Sequence, residues 1–326
     1  MLIGIASPYH LPGGCGRAVI IETSSNCNSR ENQAASLSED ELQSLSTSGF
    51  VALSAISTTA EVAEIRRIFA DLVARRVGEK EGLLFDNMES ETRADGRRSI
   101  QLTSPSKYQT WLLDTLYVRN ATRIAHQVLS PKSSLTFDFV LLKPAGVGAG
   151  TPWHQDEAYL DPKFDHSTLT FWMPLQDVDS SDGCMAYLPG SHLRGVLEHR
   201  SVHGDRHAHA FECATAIPQE ELVVCPLPAG GCAIHGQRTL HTSTNNTSSV
   251  DRYAYILTFG IAPALSKNPR KAPWLEQRRS KESFFRLLFR KVQRIRSSAP
   301  SMYRVYLKRR LNVHDLGVKL LDPWRK

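Results

Sequence analysis

Residues 169–188 read LTFWMPLQDVDSSDGCMAYL: two β-rich runs, Leu169–Leu175 and Cys184–Leu188, joined by a stretch dense in Asp, Ser and Gly. The same texture continues on both sides. Thr136–Leu142 lies upstream, and Leu222–Leu227, Gly231–His235 and Tyr253–Ile261 lie downstream, each bounded by Pro, Gly, Asp or Asn. Many short strands at modest spacing predict a barrel or jelly roll. Ahead of them the period changes. Ser38-x-x-Glu41 is a capping box with Leu37 and Leu42 as its hydrophobic staple, and Gly49 ends that helix before the run Phe50–Leu53. Thr58-x-x-Glu61 repeats the box before Val62, Ile65, Phe69 and Leu72, spaced by three and four as on one helix face. Residues 82–106 read as loop, and a helical stripe from Tyr108, Trp111, Leu112, Thr115 and Leu116 runs towards Leu129. The expected class is mainly β with flanking helices.

Composition narrows the function classes. The 326 residues are 41% hydrophobic and 22% charged, near the values for globular chains, which excludes disordered, collagenous and coiled-coil proteins. No apolar run approaches the roughly 18 residues of a membrane span, and a soluble, cytoplasmic protein is the default reading. The ending Pro323-Trp324-Arg325-Lys326 carries no peroxisomal signal. Six cysteines without a C-x-x-C pair are expected to be free thiols.

The net charge of +6 is unevenly placed: residues 264–326 hold 18 Lys and Arg against 4 Asp and Glu, a net +14, which leaves the remainder at −8. Three regions follow. Residues 1–36 form a flexible leader without periodicity, 37–263 the main domain, and 264–326 a basic helical extension with Phe284, Leu288, Val292 and Ile295 on one face. Packing with its charges in water is favoured for that extension over contact with a membrane surface or nucleic acid, so no specific nucleic-acid partner is expected.

The chemistry concentrates in Thr151-Pro152-Trp153-His154-Gln155-Asp156, where an imidazole and a carboxylate two positions apart share a face of extended chain. His241, just before the last β-rich run, is the best third ligand, with His235 as its rival. Two histidines and one carboxylate form a facial set that binds Fe(II) and leaves three positions open. Arg252, eleven residues on and at the start of a strand, needs an anion if it points inward, and a carboxylate fits its planar fork.

Together with Phe171–Leu175 and the segment Asp182–His192, these residues resemble the phytanoyl-CoA dioxygenase family of Fe(II)- and 2-oxoglutarate-dependent oxygenases, over about residues 37–263. The resemblance implies a double-stranded β-helix, a cupin-like jelly roll, with His154, Asp156 and His241 as metal ligands. It also implies that Arg252 meets the far carboxylate of 2-oxoglutarate, with Ser243 and Trp172 lining the same pocket. The implied reaction consumes oxygen and 2-oxoglutarate, releases succinate and carbon dioxide, and hydroxylates an aliphatic carbon of a small or lipid-like molecule. A carboxylate at Asp156 favours hydroxylation over halogenation, for which related enzymes carry a small residue there. The family acts on many substrates, so its name does not specify this one. The alternatives are a non-catalytic metal-binding barrel acting as a sensor or binding protein, and a nucleic-acid or membrane protein directed by the tail.

Other residues have plainer readings. His199, His203, His207 and His209 read as a solvated loop, His192 as a turn residue, and the glycines as turn punctuation rather than a phosphate cradle. Tyr159, Trp153 and Tyr187 are weaker candidates for a substrate cavity, since aromatics are more often core.

Overall fold

The computed structural model describes residues 35–86, 99–146, 150–202 and 210–277. The chain divides into Met1–Lys281 and Glu282–Lys326. The second unit, with the expected basic helix, lies outside the described residues, as does the leader up to residue 34.

Two antiparallel sheets carry the first unit. The strands are β1 (Phe50–Leu53), β2 (Leu84–Asp86), β3 (Ile100–Thr103), β4 (Ser134–Lys143), β5 (Thr151–His154), β6 (Phe164–Asp165), β7 (Thr168–Pro174) and β8 (Met185–Tyr187). They continue as β9 (His199–Ser201), β10 (Phe211–Cys213), β11 (Val223–Cys225), β12 (Cys232–Gly236), β13 (His241–Ser243), β14 (Arg252–Gly260) and β15 (Ala264–Leu265). One sheet has the order β1-β12-β7-β14-β4-β3-β2 and the other β11-β8-β13-β5, with ribbons β10-β9 and β15-β6 beside them. This is the expected jelly roll, mainly β with flanking helices.

The alternation of side chains decides which face does what. On β7 and β14, Phe171, Met173, Tyr255 and Leu257 point to the helices, while Trp172, Ala254 and Ile256 point between the sheets with Met185 and Tyr187. Helices α1 (Glu39–Ser48), α2 (Thr59–Ala74) and α3 (Leu116–Val128) flank the larger sheet. Helix α2 buries Val62, Ile65, Phe69 and Leu72, each worth roughly 1.5–3 kcal/mol relative to exposure. Tyr117 on α3 is fully buried and sets its hydroxyl against the carbonyls of Phe171 and Tyr255, at 3.0 and 3.1 Å.

The capping box of α1 is complete, with Ser38 Oγ accepting from the Glu41 amide and the Glu41 carboxylate accepting from the Ser38 amide. Gly49 ends α1 at φ 88°, and a Cβ there would stand 2.6 Å from both His192 Nδ1 and Thr239 Oγ1. The second box is only half formed. Thr58 caps α2, but the Glu61 carboxylate reaches across to accept from the amides of Leu116 and Tyr117, so it caps α3 instead.

Two expectations change. Residues 82–106 contain β2 and β3, whose short runs are hidden among polar residues. The stripe from Tyr108 is broken: Thr110–Asp114 is a 3-10 turn, and Thr115 is the N-cap of α3 because its hydroxyl accepts from the Val118 amide. The chain beyond Pro263 stays on the domain as far as it is described. β15 pairs with β6, and the short helix α4 (Pro273–Gln277) buries Trp274 against Ala158 and Phe211. No helix among the described residues is long and apolar enough to cross a membrane.

Candidate active site

Strand pairing brings the two predicted histidines together. β13 pairs with β5 so that His241 stands opposite His154, and their rings lie 4.3 Å apart between centroids. After His154 the chain stays extended through Gln155 and then enters a 3-10 turn, Asp156–Tyr159, which places Asp156 beside both rings. Asp156 Oδ1 is 3.7 Å from Nε2 of His154 and 3.7 Å from Nε2 of His241. Among the described residues these three form the one group of His, Cys, Asp or Glu whose ligand atoms converge, all within 4.8 Å of one another.

Hydrogen bonds fix which atoms are free. His154 Nδ1 donates to the Pro152 carbonyl and His241 Nδ1 to the Thr239 carbonyl, each at 2.8 Å, which leaves both Nε2 lone pairs facing Asp156. Burial holds both imidazoles below the usual histidine range, so they stay neutral as metal binding requires. Asp156 divides its oxygens. Oδ1 faces the ligand histidines, while Oδ2 accepts from Thr170 Oγ1 at 2.8 Å and lies 3.5 Å from His235 Nε2. Burial works against the Asp156 anion, but the His235 contact and the interactions with the His241, His235 and His154 rings outweigh it, and the carboxyl is held well below its ordinary range.

This donor set fits a divalent first-row metal. Ligand atoms about 2.1 Å from one ion and at right angles would lie roughly 3.0 Å apart, so the 3.7 Å separations of Asp156 Oδ1 from the two histidines close with shifts of a few tenths of an ångström per side chain. His235, the rival ligand, is placed otherwise. Its Nδ1 is 3.0 Å from the Tyr187 hydroxyl, and its Nε2 addresses the outer oxygen of Asp156.

Arg252 lies on the inner face of β14, fully buried, with its guanidinium carbon 5.5 Å from the centroid of the Trp172 ring. Its Nη1 reaches the Leu141 carbonyl only at 3.5 Å, and its Nε and Nη2 have no acceptor. Burial pushes it down to about 9, and directly opposite on β4 is Lys143, which burial and the neighbouring Arg252 push well below the usual lysine range. Lys143 is also buried, and donates to Ser243 Oγ at 2.8 Å, the Ser243 carbonyl at 3.2 Å and the Thr244 carbonyl at 2.8 Å. Ser243 Oγ in turn donates to Thr151 Oγ1 at 2.8 Å. Two basic groups buried face to face on neighbouring strands disfavour each other's charged form, and two orphaned guanidinium donors add to the cost. A carboxylate at Arg252 relieves both. Gly183 makes room for this pair: at φ 79°, a Cβ there would stand 2.9 Å from the Thr244 carbonyl and 3.6 Å from Arg252 Nε.

The aromatic candidates separate. Tyr159 stands edge-on to His154 at 5.9 Å, and its hydroxyl accepts from the Phe211 amide. Tyr187 stacks on Phe50 in the interior at 4.3 Å. Trp153, on the opposite face of β5 from His154, packs with Leu188, Leu222 and Leu240, so it does not face the metal set. His192 does lie in a turn, Ser191–Arg194, but its ring bonds not locally but to the Ser46 carbonyl of α1, at 3.0 Å. His199 corrects the reading of a solvated loop: it is buried on β9, and its Nε2 accepts from the Gln155 amide. His203, His207 and His209 lie outside the described residues. Sequence reasoning also missed Lys143, Thr170 and Gln155. Lys143 closing the apolar run before Pro144 was the available signal, since its register on β4 points it inward.

Residues 45–254 match the family model for phytanoyl-CoA dioxygenase. The chain belongs to the phytanoyl-CoA dioxygenase family. That family comprises iron- and 2-oxoglutarate-dependent oxygenases. Over 222 residues the chain is 26% identical to a probable alpha-ketoglutarate-dependent hypophosphite dioxygenase of Stutzerimonas stutzeri, covering 66% of this chain and 76% of that one. It is 23% identical over 279 residues to phytanoyl-CoA dioxygenase 1 of Oryza sativa subsp. japonica, covering 75% and 96%. The crystal structure of EvdO2 from Micromonospora carbonacea var. aurantiaca complexed with 2-oxoglutarate is similar at a TM-score of 0.63 and 27% identity, covering 74% of this chain and 98% of that one.

Proposed function

We propose that this member of the phytanoyl-CoA dioxygenase family hydroxylates an aliphatic carbon of a small or lipid-like organic molecule, with Fe(II), oxygen and 2-oxoglutarate. The observation that carries the reading is the pairing, on the inner faces of one jelly roll, of a convergent His-Asp-His set with a buried arginine whose Nε and Nη2 are unanswered. In this reading His154, Asp156 and His241 hold the iron, Arg252 receives the far carboxylate of 2-oxoglutarate, and Ser243 and Trp172 line that end of the pocket. The catalytic domain is residues 37–263, with 264–277 folded back on it and the remainder a basic extension. The partner expected is a small molecule, without a specific nucleic acid.

When bound, ferrous iron supplies the oxygen-activating chemistry that turns R–H, O2 and 2-oxoglutarate into R–OH, succinate and CO2. This chain's residues prepare the site. The carbonyls of Pro152 and Thr239 hold the imidazoles in the tautomer with Nε2 free. Thr170 occupies Oδ2 of Asp156 and so presents Oδ1. Trp172 lies against the Arg252 cation, and apolar Ala254 and Ile256 on the same face keep water from the ion pair formed with the co-substrate. A carboxylate at position 156 supplies a protein ligand where a halogenating enzyme would need room for halide, which supports hydroxylation. A metal-binding barrel without catalysis gives no use to the unanswered guanidinium.

The test is 2-oxoglutarate-dependent succinate formation under oxygen. His154→Ala and Asp156→Ala are expected to reduce it by roughly 100-fold or more. Undiminished turnover in both would remove the proposed site.

A further inference from the structure

We propose that Trp274, acting through His199, is a positioning residue for the metal site, so that the segment after the sheets is a working part of it. The inference rests on the metal assignment above.

Between ligands His154 and Asp156 lies Gln155, and its backbone N–H donates to His199 Nε2 at 3.2 Å. That nitrogen is the unprotonated one, because His199 Nδ1 donates to the Leu197 carbonyl at 2.9 Å. A neutral imidazole in one tautomer thus holds the peptide that joins two ligands. The Gln155 side chain is fully buried and ties the same stretch down: Nε2 donates to the carbonyls of Gly195 and Arg238, and Oε1 accepts from the Leu197 amide.

His199 itself is held from outside. The Trp274 indole packs on its ring, with centroids 5.5 Å apart, and is buried. Trp274 Nε1 donates at 2.9 Å to the carbonyl of Ala158, inside the turn that Asp156 begins. One side chain therefore supports both the imidazole behind Gln155 and the turn bearing Asp156. The flanking chain repeats the contact. Arg270 Nη2 donates to the Glu157 carbonyl at 3.1 Å, Arg270 N to the Pro162 carbonyl at 3.0 Å, and Ser266 N to the Lys163 carbonyl at 3.0 Å. Since Asp156 Oδ1 stands 3.7 Å from each histidine Nε2, small displacements of residues 154–158 decide whether the set closes on an ion.

The test uses the full metal-free chain and Co(II) as the probe, with affinity read by visible absorption and folding by thermal unfolding. Trp274→Ala and His199→Phe, which keeps a ring but has no acceptor, are expected to weaken Co(II) binding by roughly 10–100-fold. His199→Gln, which returns an amide oxygen near the Nε2 position, is expected to stay within about threefold of wild type, and so is Leu265→Ser, an exposed residue of the same segment. If Trp274→Ala does not fold, Trp274→Phe and the His199 pair carry the test. Unchanged Co(II) affinity in the folded variants, or equal weakening in His199→Gln and His199→Phe, overturns the proposal. A wild type that binds Co(II) no better than His154→Ala overturns the metal reading itself, a separate failure visible in the same titration.

Discussion

Replacing Arg252 by Met is expected to move two measurements in opposite directions. In the metal-free chain the guanidinium is a buried cation with two unanswered donors, pushed down to about 9 by burial. Against an ordinary value of 12.5 that depression corresponds to roughly 4–5 kcal/mol of unfavourable burial, of which only part is recovered by deleting the charge, since packing on Trp172 is partly lost. The metal-free variant should therefore be at least as stable as wild type, with a midpoint higher by a few degrees, at about 2–4 °C per kcal/mol for a domain of this size. Co-substrate binding should suffer. Two charge-assisted hydrogen bonds worth about 1.5–3 kcal/mol each are lost, which weakens 2-oxoglutarate roughly 100-fold to 10,000-fold. Calorimetric titration of the Co(II)-loaded protein, which binds without turning over, reads the affinity, and scanning of the metal-free protein reads the stability. A loss of affinity smaller than about threefold, or a metal-free variant several degrees less stable than wild type, would refute the assignment of Arg252 to a carboxylate.

Three further outcomes are expected. Thr170→Val removes the hydroxyl that holds Asp156 Oδ2 while keeping its shape, and should weaken Co(II) binding about tenfold with little change in thermal midpoint; an unchanged dissociation constant would show the bond to be incidental. Gly183→Ala forces a Cβ to 2.9 Å from the Thr244 carbonyl at positive φ, and should cost about 1–3 kcal/mol of stability in urea unfolding, against near-neutrality if the turn simply relaxes. The third outcome concerns pH. Burial pushes His199 down to about 4 against 6.5 when unfolded, so between those values the unfolded chain binds a proton that the folded chain refuses, and stability falls as pH is lowered through that window. At pH 5 the His199 share is about 2 kcal/mol, and His199→Gln should lose that much less than wild type between pH 7 and pH 5; parallel profiles would contradict it.

The strands of the jelly roll were legible where period and composition agree. Residues 169–175 and 253–261 are apolar on both faces because helices cover one side and the second sheet covers the other, and such runs announce themselves. β2 and β3 were not legible, since three or four residues within a polar stretch give no period to read. The helix expected from Tyr108 failed at Thr115, where capping outcompeted the stripe, and Glu61 shows that a half-matched box can serve a different helix. At the site, the spacing of His154 and Asp156 already placed two donors on one face, and the β13–β5 register then put His241 opposite. The supporting residues stayed hidden for a physical reason. Thr170, Lys143, His199 and Trp274 reach the site through pairings and packing across long stretches of chain, and their side chains are unremarkable in their own segments. His199 in particular sits in a polar, histidine-rich stretch of sequence, and the packing of Trp274 on its ring has no signature in that segment.

The most direct measurement is an anomalous difference map at the iron edge, from crystals loaded anaerobically with Fe(II) and 2-oxoglutarate. One peak is predicted, roughly 2.0–2.2 Å from Nε2 of His154, Nε2 of His241 and Oδ1 of Asp156, with the free carboxylate of 2-oxoglutarate on Arg252. A peak elsewhere, or one bound through His235 in place of His241, would contradict the account.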